Sequence, residues 1–105
     1  MNASDLKIAR ELKKRLSGQT DLIDFKVYGS RARGDADESS DMDVFVEVAT
    51  LSPEIKEKIY ELSWELGFLN GLVISPLIVS QHEIEKTALR SSSIIKNIVR
   101  EGVAV

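Results

Sequence analysis

The clearest chemical possibility in the sequence is a pair of acids two residues apart, Asp41 and Asp43, at the head of a segment that alternates. From Asp41 to Val48 the residues Met42, Val44, Val46 and Val48 point one way, while Asp41, Asp43, Phe45 and Glu47 point the other. Carboxylates at i and i+2 of a strand leave the same face roughly 6.6 Å apart along it, so both can reach one divalent cation. Aspartate is disfavoured inside strands, and a bound cation would offset that cost. A solvated acidic strand start would use the same residues. Upstream, Gly29-Ser30 closes the β-rich run Asp24-Phe25-Lys26-Val27-Tyr28. Glycine lets backbone approach a phosphate closely, the following N–H groups can point at its oxygens, and Ser30 adds a hydroxyl. Alone, this pair also suits an ordinary strand-ending turn. Arg31 and Arg33 leave the same loop with guanidinium groups suited to phosphate; the alternative is a pair of solvated charges offset by Asp35, Asp37 and Glu38. Those three acids read as a solvated loop that raises local cation concentration.

Regular elements must hold these residues in place. Leu6, Ala9, Leu12 and Leu16 recur at three and four, predicting an amphipathic helix capped by Ser4 and stopped at Ser17-Gly18. Its basic residues, Lys7, Arg10, Lys13, Lys14 and Arg15, fall on a solvated side. Strands follow over Asp24–Tyr28 and Asp41–Val48. Ser52-Pro53 then opens a long helix, with Ile55, Ile59, Leu62, Leu66 and Leu69 at helical spacing, that ends near Asn70-Gly71. Leu72–Val79 is an apolar run with β-branched residues, a third strand that Pro76 assigns to an edge or a bulge. Ser80-Gln81-His82-Glu83 matches a capping box, which explains Glu83 and leaves His82, the only histidine, without a metal or base role. Ile94, Ile95, Ile98 and Val99 predict a last helix stopping at Gly102. Tyr60 and Trp64, at i and i+4, are read as ordinary packing, with an aromatic contact stripe as the alternative.

At 105 residues the chain is about one domain's worth. Charged content of 30% and hydrophobic content of 43% are those of a globular protein. The absence of cysteine rules out disulfides and thiolate metal sites but leaves carboxylate sites for hard cations. A net charge of -3 argues against broad binding of nucleic acid. No apolar run approaches a signal-peptide core or the roughly 20 residues that span a membrane, which predicts a cytoplasmic protein without membrane attachment. A homo-oligomer is compatible with the same composition. Helices and strands interspersed around one small sheet give an α/β or α+β class.

Taken together, the two parts are more specific than either. A strand, Gly-Ser, ten residues and then Asp-x-Asp entering an alternating strand resembles the nucleotidyltransferase superfamily related to DNA polymerase beta. More closely, GSRARGDADESSDMDVFV resembles the minimal nucleotidyltransferases, whose pattern GSxARGxxxxxSDxDxxV is met by Gly29, Ser30, Ala32, Arg33, Gly34, Ser40, Asp41, Asp43 and Val46. The resemblance implies a single nucleotidyltransferase domain over residues 1–105, with a small mixed sheet of three strands or slightly more and about four flanking helices. It implies that Gly29 and Ser30 hold the triphosphate of ATP, with Arg31 and Arg33 as further nucleotide contacts. Asp41 and Asp43 become the catalytic pair that binds Mg2+, which in this family polarises the α-phosphoryl group and neutralises the pyrophosphate leaving group.

The sequence departs from that pattern at one place. Active relatives bear a third carboxylate on the later strand, where GLVISPLIVS has none and the position falls near Ser75, a poor ligand without useful basicity. Glu47, roughly 13 Å along the strand from Asp43, is too far to substitute, and Glu83 and Glu85 could return only if the short helix folds over the site. The resemblance further implies an antitoxin whose partner is an all-helical HEPN protein and whose reaction adenylylates a tyrosine on that partner. Two alternatives stand beside it: a module that has lost the chemistry and neutralises its partner by contact, and transfer to a small molecule as in aminoglycoside nucleotidyltransferases, whose additional helical domain is lacking.

Overall fold

The alternation of Met42–Val48 sets the architecture. In a computed structural model that describes residues 1–105, this strand is β2, flanked by β1 (Leu22–Tyr28) and β3 (Ile74–Ser80). The sheet runs β3-β2-β1-β4, with the two-residue β4 (Val103–Ala104) on the far side of β1. β1 is antiparallel to both neighbours, and β2 and β3 are parallel. A parallel pair needs a crossover, which α3 (Pro53–Asn70) supplies. Its start is as the sequence predicts: Ser52 Oγ accepts from the Ile55 N–H at 3.2 Å, with Pro53 in the first turn. Pro76 lies on the edge strand, where proline is tolerated.

One face of the sheet is closed by α1 (Ala3–Gln19) and α3. Met42, Val44, Val46 and Val48 meet Ile8, Ala9, Leu12 and Leu16 of α1 and Ile59 and Leu66 of α3. Burying each of these side chains larger than alanine contributes about 1.5–3 kcal/mol, which makes this the face that holds the fold. On the other face a smaller cluster joins Phe45 and Val79 to Ile95 and Ile98 of α5 (Ser93–Glu101). Between β3 and α5, α4 (Gln81–Lys86) begins with the predicted capping box of Ser80 and Glu83, and a 3-10 turn follows at Ala88–Ser91. No helix is long and apolar enough to cross a membrane.

Several expectations need correction. The cap of α1 is Asn2, whose Oδ1 accepts from the Asp5 N–H at 2.7 Å, and the helix runs through Gly18 to Gln19. Its buried row is Asp5, Ile8, Ala9, Leu12 and Leu16, with Leu6 half-buried. Residues Gly29–Arg33, read as a loop, form a short helix, α2, one of five α-helices where about four were expected. β4 is a strand the sequence did not announce. Tyr60 and Trp64 are not packed: Trp64 is 69% exposed and stacks on Phe68, itself 72% exposed, with ring centroids 5.3 Å apart.

Candidate active site

The site forms where β1 hands over to α2 beside the start of β2. Gly29 opens α2 with φ +75, a left-handed backbone conformation that residues other than glycine rarely adopt. A Cβ at this position would lie 2.6 Å from Asp43 Oδ2, so the glycine backbone and the Asp43 carboxylate are held in direct apposition. Tyr28, the N-cap of α2, makes no side-chain capping bond. The first-turn N–H groups at Gly29-Ser30 have no partner within the helix, and donors of this kind can receive phosphate oxygens.

Asp43 stands between Tyr28 on β1 and Ser75 on β3 in the sheet register. Asp41, just before the strand, is exposed, and its Oδ2 lies 3.4 Å from Ser75 Oγ, the hydroxyl donating. Partial burial, then the Asp41 charge, push the Asp43 carboxyl above its ordinary value, against the opposing pull of Arg33. Burial and the Asp43 charge likewise raise the Tyr28 hydroxyl, which stays protonated at neutral pH. A partly buried carboxylate whose ionisation a neighbouring carboxylate opposes is the arrangement a divalent cation relieves, and the oxygens of Asp41 and Asp43 are hard ligands of the kind magnesium takes together with substrate phosphates. The donor set therefore fits that ion. No group of three or more His, Cys, Asp or Glu side chains is placed to share one. Ser75 does occupy the register position opposite Asp43, Glu47 pairs with Asp24 further along β2, and Glu83 caps α4.

The two arginines divide. Arg31, expected at phosphate, is 7% exposed: it pairs with Asp5 at 2.7 Å, and its Nε and Nη2 donate to the Ser40 carbonyl at 3.0 and 2.7 Å. It is a strut tying α2 and the Gly34–Ser40 loop to α1, which is a correction both to the phosphate reading and to the solvated alternative. Arg33 stays at the surface, 3.1 Å from Asp35 and 3.6 Å from Glu101, close enough to Asp43 to influence its ionisation. Asp35, Asp37 and Glu38 are exposed, and Asp37 is occupied by its own turn, accepting from the Ser39 N–H and Oγ at 2.9 and 2.6 Å. Sequence reasoning missed Asp5 and Tyr28. Asp5 had a signal, since it falls in the same helical row as Ile8, Leu12 and Leu16; Tyr28 had only its place before Gly29.

The nucleotidyltransferase domain family matches residues 6–105. No curated protein matches the sequence. Among solved structures, the chain is similar to a minimal nucleotidyltransferase at 25% identity and TM-score 0.63, covering 100% of this chain and 97% of that one. Two others share the fold at lower identity. A nucleotidyltransferase from Sulfolobus solfataricus is 19% identical with TM-score 0.51, covering 94% of this chain and 77% of its own. A toxin-antitoxin structure with AMP-PNP is 22% identical with TM-score 0.55, covering 90% and 69%. The family match takes in Gly29, Ser30, Asp41 and Asp43, which the fold gathers at one end of the sheet, and the chain belongs to the nucleotidyltransferase domain family.

Proposed function

We propose that residues 1–105 form one nucleotidyltransferase domain that moves AMP from ATP, with Mg2+ held by Asp41 and Asp43, to a tyrosine hydroxyl of a HEPN-type helical partner, acting as its antitoxin in the cytoplasm. The observation that supports this most directly is the apposition of Gly29 and Asp43, which is what a turn receiving phosphate beside a carboxylate holding the ion would require. The resident ion would supply charge neutralisation on the phosphates. The Gly29-Ser30 turn orients the triphosphate, with Arg33 at its margin. The acceptor oxygen then attacks the α-phosphorus, the bond from that phosphorus to the bridging oxygen breaks, and pyrophosphate leaves. The hydroxyl proton passes to water, since Ser75 offers no base where a carboxylate would serve. The resemblance to a toxin-antitoxin structure with AMP-PNP supports a nucleotide and a toxin partner protein.

The serine opposite Asp43 favours a second reading, neutralisation of the partner by contact with nucleotide bound but untransferred. One experiment separates the two. The pure chain is incubated with ATP, Mg2+ and a HEPN-type protein encoded beside it, and intact mass is read for added AMP. Transfer predicts an AMP adduct on the partner that disappears in Asp43→Asn. Tight binding with no mass change, indifferent to that substitution, would overturn transfer and leave contact.

A further inference from the structure

An apolar groove adjoins the aspartate pair, and the transfer chemistry makes no use of it. Tyr60, Trp64 and Phe68 form the α3 wall, Leu72 and Val73 lie on the approach to β3, and Ser75 closes one end. Its volume is about 530 Å³, room for several side chains of a polypeptide. Because Ser75 Oγ also sits 3.4 Å from Asp41, groove and carboxylates share a residue. The apolar surface is continuous: Trp64 and Phe68 stack within 13° of parallel, and Val73 is 60% exposed. Single exposed apolar residues are ordinary, but a contiguous strip with a charged rim marks a surface made to be covered.

The rim identifies the occupant. Glu57, Glu61 and Glu65, all exposed, each precede one of Tyr60, Trp64 and Phe68 by three residues, so an acidic row runs beside the aromatic one. Of the lysines on α3, Lys58 is engaged by Glu61 at 3.6 Å, leaving Lys56 against the remaining glutamates. The Ser75 end is acidic as well, through Asp41. We propose that this groove docks a basic, apolar segment of the partner protein and so presents its acceptor hydroxyl to the Asp41–Asp43 end, an inference that rests on the transfer reading. Lysine or arginine on the segment would face the glutamate row, and its apolar residues would cover Trp64 and Phe68. A second copy of this chain, joined by a two-fold axis through the groove, would set glutamate row against glutamate row. Nucleic acid meets the same repulsion. A small polyhydroxylated amine has no apolar surface to cover the rings.

Trp64 is the only tryptophan, so its fluorescence reports on the groove. The probes are a short synthetic peptide alternating lysine and leucine around one tyrosine, and its counterpart with glutamate for lysine. The expected result is a saturable blue shift with the basic peptide, weakened by salt, and none with the acidic one. Phe68→Asp and Val73→Asp, at exposed positions that leave the core intact, should each weaken the basic peptide about tenfold or more, the scale of an apolar anchor. Glu61→Lys with Glu65→Lys should reverse the peptide preference, and Asp43→Asn should leave docking unchanged. No shift with either peptide would overturn the proposal. So would a dimer that Phe68→Asp dissociates, or a shift caused by ATP alone that the peptide cannot displace. Transfer and docking fail separately: AMP transfer at full rate in Phe68→Asp would remove docking alone, whereas peptide binding without AMP transfer to the helical partner would remove transfer alone.

Discussion

The two faces of the sheet are built for different ends. On the α1 and α3 face every inward residue of β2 is aliphatic, and the buried cluster runs the length of the strand. On the other face β2 presents Asp43, Phe45 and Glu47, and α5 covers only the middle of it. The first arrangement leaves little to titrate or bind; the second keeps a partly buried acid beside solvent. A strand whose alternate residues belong to such different environments cannot slip by one position without putting both aspartates in the core, so the closed face fixes the register that the open face needs.

The arginines of α2 repeat the division, and they provide the largest test of it. Arg31 reaches the closed side and its ion pair with Asp5 is buried; Arg33 reaches the open side and Glu101 of α5. Arg31→Ala would strand the Asp5 carboxylate and the Ser40 carbonyl, and removing one partner of a buried pair typically costs about 3–5 kcal/mol. For a domain of this size that is a fall of more than about 10 °C in thermal midpoint, read by circular dichroism or calorimetry. Arg33→Ala should leave the midpoint nearly unchanged and weaken ATP binding instead, measured by titration calorimetry. If the two variants lost equal stability, the assignment of Arg31 as strut and Arg33 as ligand would collapse. Replacing the pair by Asp5→Leu with Arg31→Met should recover much of the lost stability, because well-packed apolar side chains can stand in for a buried ion pair.

Gly29 is where the two faces meet, and substituting it should affect activity more than stability. Gly29→Ala places a β-carbon 2.6 Å from Asp43 Oδ2, and forces alanine into a left-handed conformation. The backbone strain costs about 1–3 kcal/mol. Because Asp43 must move, the rate of AMP transfer should fall about a hundredfold or more, the consequence of misplacing a reacting group by about 1 Å. A variant that kept full activity would show that the apposition of glycine and carboxylate has no part in the chemistry.

How much of this was legible depended on the range of the signal. The β2 alternation, the Ser52-Pro53 start, the Ser80–Glu83 capping box and the edge position of Pro76 are set by neighbours within a few residues, and all four stand in the structure. The resemblance put the position of the missing carboxylate near Ser75, and Ser75 is the residue paired with Asp43. What escaped depends on distant partners. Arg31 is buried only because Asp5, twenty-six residues earlier, turns inward from α1. β4 is a strand only because Lys26 and Val27 leave an edge for Val103 and Ala104 to pair with. Tyr60 and Trp64 have the spacing of packed residues, and what leaves them uncovered is the side of α3 that Ile59, Ser63 and Leu66 turn toward the sheet.

Glu47 gives the smallest effect and the finest test of the open face. It is 8% exposed, and burial first, then Asp24 and Glu85, push its carboxyl above the ordinary value, with Lys26 pulling the other way. A carboxyl that binds its proton more tightly in the folded state makes folding less favourable as pH rises. The penalty begins above the unfolded value, near 4.5, grows until the raised folded value is passed, and persists at neutral pH. Glu47→Gln should therefore stabilise the protein at pH 7, since the amide carries no charge to bury. The advantage should shrink as pH falls through that window and vanish below it, measured by urea denaturation at several pH values. The same substitution should leave AMP transfer unaltered, since Glu47 lies four residues along β2 from Asp43. A stability gain that did not depend on pH would mean that packing, and not charge, separates Glu47 from the aliphatic residues on the closed side of its strand.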